Sequence, residues 1–103
     1  MNAVEKEVCR LVENELAAAN EIFPKFHSAH EGFAVIQEEI DEAKDDMQEI
    51  ELHAKCMWES VKQNVSCDNT ATHIKKFAIR AACEAIQVAA MAQKFLDMQE
   101  GGK

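Results

Sequence analysis

The chain has 103 residues, and 19 acidic against 11 basic side chains give it a net charge of -8. That length allows one domain around one core and leaves no room for a second. The negative charge repels nucleic acid and anionic membrane surfaces, so a polyanionic substrate would require an intervening cation.

From the N-terminus, "MNAVEKEVCR" has neither the apolar region nor the small-residue cleavage site of a secretory leader. Charges also interrupt every apolar stretch farther on. A soluble, cytoplasmic protein without membrane or nucleic-acid partners is expected. One Pro, no Tyr, and two of three Gly in the terminal "GGK" leave the chain without the punctuation of a β protein. The fold class is therefore all-α, a bundle of three long helices in a single domain over 1–103.

The first helix is predicted over residues 3–22, with Val4, Val8, Leu11, Val12 and Ala18/Ala19 along one side, ending before Pro24. "PKFH" is the connector. Ser28 and Glu31 have the S-x-x-E spacing of a capping box, which starts the second helix. Apolar residues then fall at 33, 36, 40, 43, 47, 50, 54, 57 and 61, steps of three and four that carry the helix to about residue 62. Such a stripe suits an antiparallel hairpin, a bundle or a short coiled coil. Its abrupt end at "NVSCDNTAT", a turn followed by an N-cap, favours the bundle.

The third helix is predicted over about 70–98, with a tail at 99–103. Its segment "FAIRAACEAIQVAAMAQKF" is apolar on nearly every side. Two neighbouring helices cover only part of such a surface, which predicts a homo-oligomer, most simply a two-fold dimer. Cys9, Cys56, Cys67 and Cys83 form no CxxC pair, and His27, His30, His53 and His73 complete no zinc-finger spacing. Buried free thiols are expected, with Cys67 in the turn the one placed to react.

The acidic residues pose the functional question. Glu39, Glu42, Asp46 and Glu49 are spaced three, four and three apart and form one band beside the apolar stripe, whereas Glu38, Asp41 and Asp45 point elsewhere. Such a band is either a solvated helix edge or a set of hard oxygen ligands, which magnesium would need from more than one helix. On the third helix Arg80, Glu84 and Gln87 share a face. There Glu84 either pairs with Arg80 or faces a cation in a groove.

Glu38-Glu39-Ile40-Asp41-Glu42 has the form EExxE, and Glu84-Ala85-Ile86-Gln87 stands where an ExxD follows on the next helix. This arrangement resembles the all-α nucleoside triphosphate pyrophosphohydrolases, the MazG-like superfamily. "HEGFAVIQEEIDEA" and "EAIQVAAMAQKF" are similar to segments of its small phage- and prophage-type members. The resemblance covers residues 26–46 and 80–96. It implies an oligomeric helical bundle that uses Mg2+, or Mn2+, to hydrolyse a nucleoside triphosphate to its monophosphate and pyrophosphate. It also implies metal ligation by Glu39, Glu42, Glu84 and position 87. Gln87 departs from the pattern, because its neutral amide removes one negative charge, and Asp46 is the acid available to replace it. Glu38 or Asp41 is then a candidate base for the attacking water. Lys25, His27, His30, Arg80 and Gln87 are candidate contacts to the substrate, although Lys25 and the two histidines read more readily as solvated residues of the connector and cap.

In an antiparallel pairing about the 62–69 turn, Glu39 and Glu42 lie about five residues farther from the turn than Glu84 and Gln87. That is a mismatch of roughly 7 Å at the helical rise, and it brings Asp46 and Glu49 nearer to level with Glu84. A reading of another class keeps the bundle without chemistry: a helical interaction or regulatory protein that has lost a full metal set. A pocket that binds nucleotide without hydrolysis is a weaker third.

Overall fold

The computed structural model describes residues 3–101, which form three helices: α1 (Glu5–Ile22), α2 (Ala29–Lys62) and α3 (Asp68–Gly101). There is no strand among the described residues. The helices lie close to their predicted bounds, except that α3 continues to Gly101 through part of the expected tail. Residues 102 and 103 lie outside the described residues. No helix is long and apolar enough to cross a membrane.

Each junction has a local cause. Ser28 is the N-cap of α2, its Oγ accepting from the Glu31 amide at 3.1 Å. The reciprocal half of the capping box is displaced by one residue, since Glu31 Oε1 accepts from the His27 amide at 2.9 Å rather than from Ser28. At the other end of α2, Asn64 takes the left-handed conformation with φ 56°. The Val65 amide bonds to Ser60 O and the Asn64 amide to Val61 O, which closes the last turn of α2 as a Schellman motif. Asparagine tolerates that backbone better than other non-glycine residues, because its short polar side chain bonds locally.

Helices α2 and α3 pack side by side, and α1 lies against α3. Asp46 meets Arg80 and His53 stacks on His73 in one antiparallel register, each step along α2 matched by an equal step back along α3. Extending that register sets Asp68, the start of α3, opposite Trp58. The last turn of α2 therefore overhangs α3 by four residues, roughly 6 Å. This overhang, bridged by residues 63–67, removes the mismatch expected from counting residues to the turn.

The core is small and lies near the connector. Phe26, Ala90 and Met91 form its buried centre, with Val12, Leu16, Ala19, Val35, Ile36, Phe95 and Met98 packed around it. Phe26 and Met91 each stabilise the fold by about 1.5–3 kcal/mol through burial. Gly32 is buried in α2 because the rings of Phe95 and Phe26 occupy the space beside it: an added Cβ would stand 2.6 Å from Phe95 Cδ2.

Much of the predicted apolar surface is uncovered. Phe33 and Met47 of the α2 stripe are 63% and 48% exposed, and Ile79 and Leu96 of α3 are 57% and 56% exposed. The expectation of buried thiols is corrected: Cys9, Cys56 and Cys83 are exposed and Cys67 is half-buried. Cys9, Cys56 and Cys83 sit on helix faces that the three-helix arrangement leaves open, and Cys67 immediately precedes α3.

Candidate metal centre

The register of α2 on α3 brings Glu39 and Glu42, one turn apart on α2, against Glu84 of α3. Each offers one carboxylate oxygen, and these oxygens lie within 4.8 Å of one another. Glu39 and Glu84 are half-buried and Glu42 is exposed, so the cluster opens to solvent at one side.

Three carboxylates this close cannot all be ionised without cost. Burial, with a hydrogen bond to Glu42 and the charges of Glu42, Glu39 and Asp46, pushes the Glu84 carboxyl up to about 7. Glu39 is raised as well, first by burial and then by the charges of Glu42 and Glu38. A divalent cation placed among these oxygens would remove the repulsion that causes both shifts.

Gln87 enters the same cluster. With its amide nitrogen turned toward the carboxylates it donates to Glu39 Oε2 at 2.6 Å and to Glu84 Oε2 at 3.0 Å. In the opposite orientation the nitrogen lies 3.4 Å from Glu15 Oε1 of α1. The amide thus supplies donors that a proton or a cation would otherwise supply. Its oxygen becomes available toward a cation when the group is turned over.

Glu15 is the cluster member that the sequence did not reveal. Its charge reaches Glu39, raising that carboxyl, and it stands beside Gln87. Among the acids of α1 nothing marks it out, because only the seating of α1 on α3 selects it.

The other candidates are dispersed. Asp46, expected as a possible extra ligand, is buried one turn along α2 and paired with Arg80, Oδ1 to Nε at 3.6 Å. The Arg80 guanidinium lies 5.4 Å from the Phe77 ring centroid. The Arg80–Glu84 pair weighed from spacing does not form, as Arg80 turns to Asp46 instead. Glu38 is exposed next to Glu39. His30 is exposed on the first turn of α2, whereas Lys25 lines cavities beside the connector, away from the carboxylates. His27 Nδ1 is engaged by Glu31 Oε2 at 3.1 Å.

Three half-exposed oxygens from two helices, with an amide oxygen within reach, suit a hard divalent cation that keeps water or phosphate in its remaining positions. Compared with protein-family models, with curated proteins and with solved structures, the chain finds no match in any of the three.

Proposed function

We propose that the chain is a metal-dependent nucleoside triphosphate pyrophosphohydrolase of the MazG-like kind, releasing a nucleoside monophosphate and pyrophosphate. The observation that carries this reading is the convergence of Glu39, Glu42 and Glu84 from two helices onto one point. Those are the positions at which the EExxE and ExxD resemblance puts ligands. The net charge of -8 adds a reason for a cation, since a triphosphate would otherwise be repelled.

When bound, magnesium or manganese neutralises the phosphates and lowers the pKa of a bound water. Glu39, Glu42 and Glu84 would hold the cation, and Gln87 could contribute its amide oxygen. On this reading Glu38, exposed beside Glu39 and outside the carboxylate cluster, would accept the proton of the attacking water as pyrophosphate leaves. Arg80 pairs with the buried Asp46 carboxylate next to the cluster.

Pyrophosphate release from a panel of canonical and modified nucleoside triphosphates, with magnesium or manganese, tests the reading. Metal-dependent release by the wild type that disappears in Glu39→Ala is expected. Silence across the panel from folded protein would favour a non-catalytic helical interaction protein. Gln87 supports that second reading, since its donors already satisfy Glu39 and Glu84 without any cation.

We also propose that the working form is a two-fold dimer. The protomer exposes 7672 Å² at a mass of 11.6 kDa, whereas a compact monomer of that mass exposes roughly 5,800 Å². The excess is larger than the roughly 800 Å² that each partner buries in an interface of ordinary size.

A further inference from the structure

On the side of the core away from the turn, one helical turn beyond the carboxylate cluster, Ala19, Val35 and Met91 line an apolar cavity of about 410 Å³. Lys25, Lys94 and Glu31 line it as well, and the two lysines also border a second cavity of about 510 Å³. Lys94 is the unusual group. It is 5% exposed, its Nζ donates to Phe23 O, and it lies 4.8 Å from the Phe26 ring centroid.

Among the described residues Lys94 forms no ion pair. The nearby carboxylates lie outside ion-pair distance of it: Asp97 accepts from Gln93 Nε2 at 2.9 Å, and Glu31, whose carboxyl the Lys94 charge helps to lower, is held by the His27 amide and ring. A buried ammonium with one carbonyl partner has two N–H donors left and no carboxylate in ion-pair contact, an arrangement that a further acceptor would complete.

We propose that this junction binds a small organic carboxylate with an apolar body. Its carboxylate meets Lys94 and Lys25, and its apolar part fills the space between Ala19, Val35 and Met91. The cavity lies in the size range of small-molecule sites, with apolar walls and a few polar groups at one end. A free inorganic anion would satisfy Lys94 but leave the apolar walls wet. A neutral apolar molecule would leave the ammonium unpaired. The inference stands apart from the metal centre and survives the failure of the pyrophosphohydrolase reading.

Amide-detected NMR titration of the full chain with phenylacetate, phenylacetamide and acetate tests it. Phenylacetate is expected to give saturable shifts at the amides around residues 19, 35 and 91–94, with a dissociation constant of about a millimolar or tighter. Phenylacetamide should bind at least about tenfold more weakly, and Lys94→Met should lose phenylacetate binding by a similar factor. Lys25→Gln, at an exposed position, should weaken binding without disturbing the fold, so the test holds even if Lys94→Met unfolds. Equal binding of the amide, shifts that acetate reproduces in full, or no saturable shift from folded wild type would each overturn the proposal.

Discussion

Glu84 is the residue whose chemistry depends most on its neighbours. Its carboxyl is held at about 7 by burial and by Glu42, Glu39 and Asp46. The sign of the consequence follows from linkage: a folded-state pKa above the unfolded one means that the folded chain binds the extra proton. The stabilisation is complete below the usual carboxylate value of 4.5 and is lost as pH rises through about 7. Urea titrations of the metal-free protein should therefore show stability falling across that window. Glu84→Gln should flatten this part of the profile, because a neutral amide does not repel Glu39 or Glu42; an unchanged slope would show that the carboxylates do not interact. The sequence marked Glu39, Glu42 and Glu84 by type and spacing. It gave no signal for Glu15, and it left Asp46 and Arg80 as separate candidates, because the pairing of two helices decides which side chains meet.

At the scale of the element, helix ends were legible because they are written locally: Ser28 and Glu31 start α2, and the Asn-rich stretch stops it. Register was not. Counting residues to the turn assumes that both helices begin level with it, whereas α2 overhangs α3, and only the overhang sets Glu42 opposite Glu84. Gly32 shows how closely that pairing is packed. In an open helix Gly32→Ala would stabilise by about 1 kcal/mol. Here the new methyl would meet Phe95 and Phe26, the latter backed by the Lys94 ammonium. Overpacking of this kind costs about 1–3 kcal/mol, so a net loss of about 1 kcal/mol is expected in thermal or urea unfolding. A gain in stability would mean that the rings move aside freely and that α2 and α3 are not fixed near the connector.

For the whole molecule, shape carries the main consequence. The protomer measures 61 × 28 × 22 Å with a radius of gyration of 17.6 Å, whereas a compact domain of this length has about 13 Å. The all-round apolar character of α3 anticipated this: Ile79 and Leu96 stay uncovered on α3, and Val8 and Leu11 of α1 are exposed together with its N-cap Val4. Sedimentation equilibrium at micromolar concentration should give twice the protomer mass, and a monomer that remains folded on dilution would refute the dimer. The surface to be covered was thus readable from composition along one helix. The symmetry of the proposed dimer was not, since no pattern within one chain states how two copies would meet.

The central claim, that Glu39, Glu42 and Glu84 form a divalent-cation site, is tested most directly by calorimetric titration of the folded protein with Mn2+ near pH 7, repeated in buffers of different ionisation enthalpy. Saturable binding is expected, with proton release as the Glu84 carboxyl gives way to the cation, and with both the binding and the release lost in Glu84→Gln. No binding by the wild type, or equal binding by Glu84→Gln, would contradict the account and reduce the three carboxylates to a crowded, solvated helix edge.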